Sequence, residues 1–208
     1  MYKGYRRLGL LLLFFLLFCS GLTVHGANRQ NFSDPIDQDI MDCTQAITSN
    51  SHDAVAYFKR GKAYAKKELY GSAICDYTSA IKLNPDYATV YLARALLYQK
   101  RGENDLALTD YTSAVTYDPD YAAAYNSRGV LYMQKGDYTL ALQDFNRAIE
   151  INPQFAKPYF NKGLLYEKTQ RYQDAIDTYH SLLLELPLKY TQTIEEVKMR
   201  IRALGGII

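Results

Sequence analysis

Residues 122–155 read AAAYNSRGVLYMQKGDYTLALQDFNRAIEINPQF, and the 34 residues before them, 88–121, read ATVYLARALLYQKRGENDLALTDYTSAVTYDPDY. Laid over one another without a gap, the two stretches agree at spaced positions. The agreement continues in both directions. With Ala54 as position 1, a step of 34 gives Ala54, Ala88, Ala122 and Ala156. Position 4 is Tyr57, Tyr91, Tyr125 and Tyr159, and position 11 is Tyr64, Tyr98, Tyr132 and Tyr166. Position 8 is Gly61, Ala95, Gly129 and Gly163, and position 20 is Ala73, Ala107, Ala141 and Ala175. Position 24 is Tyr77, Tyr111, Phe145 and Tyr179; position 27 is Ala80, Ala114, Ala148 and Leu182; position 32 is Pro85, Pro119, Pro153 and Pro187. A fixed period of this length marks a repeat architecture in which each unit buries its apolar face against its neighbours.

Apolar residues recur at i, i+3, i+4 and i+7 over positions 2–14 (helix A) and 18–31 (helix B) of every unit, the periodicity of amphipathic helices. Small residues at positions 8, 20 and 27 let two helices approach closely, and aromatic rings at 4, 11 and 24 fill the space around the contact. Proline at 32 ends helix B because it cannot donate to the preceding turn. Gly102 and Gly136, at position 15, terminate helix A in the second and third units. Positions 4, 11, 17, 24 and 34 absorb 16 of the 20 tyrosines, so the aromatic surplus reads as packing and not as a platform for stacking bases.

This pattern resembles the tetratricopeptide repeat family over residues 54–189, with Tyr in place of the family's usual Trp at position 4. The resemblance implies an all-α, right-handed solenoid of antiparallel helix pairs, with units at 54–87, 88–121, 122–155 and 156–189. Upstream, Asp42-Cys43-Thr44-Gln45-Ala46-Ile47 parallels Asp76-Tyr77-Thr78-Ser79-Ala80-Ile81 at the same offset, so 36–53 reads as a lone helix B, a half repeat. Downstream, Ile194, Val197, Ile201 and Leu204 share one helical face, and 190–208 reads as a capping helix and tail that shield the last unit.

The leader reads differently. Lys3, Arg6 and Arg7 precede an apolar run of 11 residues, Leu8–Phe18, and Val24 and Gly26 suit a cleavage site before Ala27. These proportions are those of a secretory signal peptide over 1–26, with an uncleaved anchor as the alternative, and 27–35 reads as a flexible tether. Export to the periplasm or cell envelope, or secretion, is the expected destination, and a membrane would be met only through this segment. Residues 1–27 hold three of the 24 basic residues and no acid, so the remainder carries 21 basic against 22 acidic residues. That balance excludes a basic surface for nucleic acid. Cys43 and Cys75 read as small buried hydrophobes, a single bridge between them being the alternative. His25, His52 and His180 have no metal-ligand spacing. No nucleophile, phosphate-loop or metalloprotease motif is present, and the reading is of a protein that is not an enzyme and needs no cofactor.

Function then falls to surfaces that the repeats do not consume. In the family that the pattern resembles, positions 2, 5, 9, 12 and 13 of helix A line a concave peptide-binding face. Carried over, they give a groove of Phe58, Lys62, Lys66, Leu92, Leu96, Lys100, Asn126, Val130, Met133, Phe160, Leu164 and Lys168. The carboxylate clamp of the family's chaperone-binding members is absent, its positions being Phe58, Lys62, Ala93, Ala123 and Ser127. An apolar strip with a lysine rim suits a partner segment with apolar anchors and some acidic character. The implied function is a non-catalytic interaction scaffold. Two alternatives stand beside it: a self-assembling homo-oligomer, and a regulatory subunit that docks an envelope protease or cell-wall hydrolase. Finally, position 7 is Arg60, Arg94, Arg128 and Lys162, while position 23 of the preceding unit is Asp42, Asp76, Asp110 and Asp144. This matching predicts inter-repeat ion pairs Asp42–Arg60, Asp76–Arg94, Asp110–Arg128 and Asp144–Lys162.

Overall fold

The computed structural model describes residues 34–185, 187 and 190–208; the expected signal peptide and most of the tether lie outside them. Ten helices are present among the described residues, with no strand. A lone α1 (Pro35–Ser49) is followed by four pairs: α2 (Ala54–Lys66) with α3 (Tyr70–Leu83), α4 (Ala88–Lys100) with α5 (Asn104–Tyr117), α6 (Ala122–Lys135) with α7 (Tyr138–Ile151), and α8 (Ala156–Lys168) with α9 (Tyr172–Glu185). Helix α10 (Thr191–Ala203) closes the array. Two or three residues join the helices of a pair and four join one pair to the next, so successive helices run antiparallel and stack into a solenoid. None of these helices is long and apolar enough to cross a membrane.

The turn from A to B is set by one residue. Position 15 is left-handed in all four units, at Glu68 (φ 60°), Gly102 (78°), Gly136 (89°) and Gln170 (60°). Each time the next N–H reaches back to the position 11 carbonyl at 2.9 Å: Leu69 to Tyr64, Glu103 to Tyr98, Asp137 to Tyr132 and Arg171 to Tyr166. The glycines were legible as terminators, whereas Glu68 and Gln170 hold the same conformation against the Cβ penalty. Gly136→Ala is therefore expected to lower stability by about 1–2 kcal/mol. Glu68→Ala, which keeps a Cβ in that conformation throughout, should stay within about 0.5 kcal/mol. Urea unfolding of the two variants measures the contrast.

Within each pair the small positions form the seam. Ala73, Ala107, Ala141 and Ala175 are fully buried, as are Ala80, Ala114 and Ala148. The position 24 ring lies directly against position 8: a Cβ on Gly61, Gly129 or Gly163 would stand 2.6, 2.8 or 2.3 Å from the ring of Tyr77, Phe145 or Tyr179. The second unit accommodates a methyl there, with Ala95 and Tyr111 both fully buried. The ring hydroxyls then need acceptors. Tyr111 donates to Gln99 Oε1 at 2.6 Å and Tyr179 to Glu167 Oε1 at 2.5 Å, both at position 12. Where position 24 is Phe145, which carries no hydroxyl, position 12 is Met133, whose thioether is only a weak acceptor. Burial pushes the Tyr77 hydroxyl up to about 12, and those of Tyr111 and Tyr179 higher still.

The ion pairs correct the expectation drawn from the sequence. Arg60 bonds both oxygens of Asp76 at 2.8 Å, Arg94 those of Asp110 at 2.7 and 2.9 Å, and Arg128 those of Asp144 at 2.8 Å. The pairs lie within one repeat, not between repeats. Positions 7 and 23 adjoin positions 8 and 24, the closest contact of an A–B pair, so the acid of the same unit is the one in reach. Each guanidinium also lies between the position 4 and 11 rings of its own helix; that of Arg128 is 5.5 Å from Tyr125 and 5.8 Å from Tyr132. The link to the preceding unit goes to a hydroxyl and not to an acid, from Arg60 to Thr44 Oγ1 at 3.2 Å and from Arg94 to Thr78 Oγ1 at 2.9 Å. Asp42 accepts instead from Gln38 at 2.6 Å, and Lys162 shares a shallow pocket with Thr178 and Asp174, where burial lowers its pKa. Charges that do bridge units lie elsewhere: Lys67 with Asp37, and Lys135 with Asp105 at 2.8 Å.

Candidate functional site

Helices at odd and even places in the solenoid form two layers. The A helices touch one another, α2 with α4 and α6 with α8, and exchange side-chain bonds: Asn161 donates to Asn126 at 2.9 Å and Gln99 to Gln134 at 3.1 Å. Helices on the inside of a curved stack approach more closely than those outside, so the A layer is the concave one. The residues expected to line a groove all lie on this layer, but they divide into two sets.

One set is consumed by packing. Leu92 is 8% exposed and belongs to the core around Tyr111 and Leu131, and Asn126 is buried as the acceptor for Asn161. Phe58 lies between Tyr77 and Tyr87, at 5.8 and 5.4 Å between ring centres. Phe160 packs on Tyr179 at 6.1 Å, under the Arg200 guanidinium at 5.2 Å. Two rim lysines stack on the tyrosine of the unit before: Lys100 on Tyr70, whose hydroxyl it also bonds, and Lys168 on Tyr138 at 5.7 Å. The asparagine and lysine contacts fix one unit on the next.

The other set faces solvent. Leu96 is 47% exposed at position 9 and Val55 45% exposed at position 2. Val130, Met133 and Leu164 are half-buried, and Lys62 and Lys66 are exposed beside them. Where α10 takes the place of a fifth helix A, it opens a cleft of about 510 Å³ against α8, between the rings of Phe155, Phe160 and Tyr190 and the charges of Lys157 and Glu196. Reading the sequence missed this cleft. Its signal was the continued register, which puts Tyr190 at position 1 and Glu196 at position 7 of a fifth unit. A salt bridge holds α10 there: Arg200 reaches Glu167 of α8 at 3.2 Å, and it also meets Glu196 on its own helix at 3.7 Å.

The cysteines also differ from expectation. Cys43 is half-buried and Cys75 exposed, both free thiols, and burial raises the Cys43 pKa. No cluster of three metal-ligating side chains occurs among the described residues.

Family models described as tetratricopeptide repeat match residues 54–87, 92–156 and 145–177. The chain is built of tetratricopeptide repeats. No curated protein matches it. Solved structures do match this tetratricopeptide-repeat chain in fold. A crystal structure of MamA superposes with a TM-score of 0.67 at 23% identity, over 72% of this chain and 88% of that one. A tetratricopeptide repeat protein from Parabacteroides merdae ATCC 43184 gives 0.69 at 22% identity, over 81% and 66%. YrrB, described as a TPR protein with an unusual peptide-binding site, gives 0.62 at 21% identity, over 73% and 78%. At these identities the likeness is one of fold.

Proposed function

We propose that this tetratricopeptide-repeat protein is a non-catalytic scaffold of the cell envelope, which binds a segment of another protein along its A layer. The observation that supports this most is the remainder left after packing. Leu96 and Val55 stay exposed, and Val130, Met133 and Leu164 half-exposed, in a line edged by lysines. Apolar side chains held open on a rigid concave surface are suited to anchoring an extended or helical segment, and lysines at the edge favour acidic residues beside the anchors. The peptide-binding site named for YrrB, a protein of the same fold, agrees with this reading. The charged start and apolar run of the leader support the envelope as its place of work.

The test is capture from envelope extract of the host. Leu96→Glu with Leu164→Glu changes the open line at position 9 without touching the seam residues. This double variant should keep its helicity and lose the captured partner. Leu184→Glu, at an 86% exposed site on a B helix, should capture it normally. Equal capture by the groove variant and wild type would move binding away from the A layer.

A further inference from the structure

The two ends of the solenoid are finished differently. At the carboxyl end, α10 lays the fully buried Val197 and Ile201 into the core around Ile176 and Tyr179. The chain then folds back so tightly that a Cβ on Gly206 would stand 2.6 Å from Ile201. At the amino end, α1 is a helix B with no helix A beside it among the described residues, and no residue of α1 is buried. The face that other B helices turn to their own A helix carries Asp39, Asp42, Cys43 and Ala46 here, at positions 20, 23, 24 and 27. With Lys59 and Lys66 of α2 opposite, that face walls an open cleft of about 530 Å³.

The repeat register says what such a cleft accepts. Asp76, Asp110 and Asp144, the counterparts of Asp42, are 4–5% exposed and each grips an arginine with both oxygens. Asp42 is exposed, and the hydrogen bond it shows is to Gln38, on its own helix. Lys59 and Lys66 stand at positions 6 and 13. In later units those positions meet positions 5 and 12 of the A helix before, as Asn161 meets Asn126 and Gln134 meets Gln99. Cys43 stands where α3, α5 and α9 carry a tyrosine, so the cleft has room for a larger side chain than the glycine or alanine of position 8.

We propose that the α1–α2 cleft docks one amphipathic helix of a partner protein in the place of a helix A. That helix turns an arginine to Asp42, an aliphatic side chain to Cys43 and Ala46, and acidic residues to Lys59 and Lys66. The opposite charges of the two walls fix its rotation as well as its presence. The cleft shares Val55, Lys62 and Lys66 with the A-layer groove, so the test relies on Asp42 and Lys59, which do not belong to that groove.

The probe is a fluorescent synthetic peptide of residues 86–103 with Leu92→Glu, Ala95→Leu and Gln99→Glu, in which Arg94 keeps position 7. Titrated with the full chain, it should bind saturably and one to one. Asp42→Arg and, independently, Lys59→Glu should each weaken binding by about tenfold or more, as expected for close charge pairs. Arg94→Glu in the peptide should restore binding to the Asp42→Arg chain. Both substituted residues are exposed, so circular dichroism should be unchanged. Absence of saturable binding, or equal affinity for wild type and Asp42→Arg, overturns the proposal. So does a dimer in sedimentation that Asp42→Arg dissolves, which would make a second copy the occupant. Cross-linking of residues 20–32 into the cleft would overturn it too, by assigning the place to the chain's own segment.

Discussion

Asp110→Ala is expected to destabilise the fold by about 3 kcal/mol, since it strands a largely buried guanidinium. The carboxylate is 5% exposed and its partner Arg94 15% exposed, at 2.7 Å. The loss comes mainly from leaving Arg94 without its acid, and less from the net worth of the pair. Burial raises the Asp144 carboxyl in the equivalent pair against the pull of Arg128, as expected where desolvation offsets much of the attraction. The pair thus orients helix B on helix A more than it adds stability. A double-mutant cycle identifies the partner. Arg94→Met combined with Asp110→Ala should show a coupling of about 1–3 kcal/mol, whereas Arg128→Met should add to Asp110→Ala within about 0.5 kcal/mol. Coupling to Arg128 in place of Arg94 would return the acid to the next repeat.

Phe145→Ala is expected to cost about 3–5 kcal/mol, the range for emptying a fully buried aromatic site. The ring is 0% exposed and fills the space above Gly129, so little around it can collapse inward. In a stacked array, each unit supports only its neighbours, and the damage should spread to them. Thermal unfolding should then start in the third unit and broaden. A finer test uses Phe145→Tyr, which adds a hydroxyl facing Met133. With only a weak thioether acceptor at position 12 it should destabilise by about 1–3 kcal/mol. Met133→Gln in the same chain should recover part of that loss, reproducing the bond that Tyr111 makes to Gln99 at 2.6 Å. Full tolerance of Phe145→Tyr alone would show that the ring edge is wet.

The pairing of positions 12 and 24 was present in the sequence all along. Gln99 with Tyr111, Glu167 with Tyr179 and Met133 with Phe145 match by hydrogen-bond need, whereas Ala65 with Tyr77 in the first unit does not, and only contact geometry shows that a residue at 12 reaches the ring at 24. The concave face was legible in outline and not in detail. Leu92 and Leu96 are one helical turn apart and equally apolar, yet the neighbouring helices cover Leu92 to 8% and leave Leu96 at 47%. Periodicity within a helix cannot express what a second helix covers.

The sequence alone determined the period, the helix pairs, the small-residue seam and the aromatic filling, because each is a local requirement repeated four times. Tertiary structure alone decided which acid meets which base. Each position 7 base lies 16 residues before the Asp of its own unit and 18 after that of the unit before, and the two offsets sum to the 34-residue period. Within a perfect repeat both pairings are therefore equally regular. Only the ends break the tie, and the ends mislead: Asp42 is exposed and under no pressure to find a cation, and Thr178 simply leaves Lys162 without its acid. The closeness of the A–B seam, a distance in space that no spacing along the chain encodes, makes the choice.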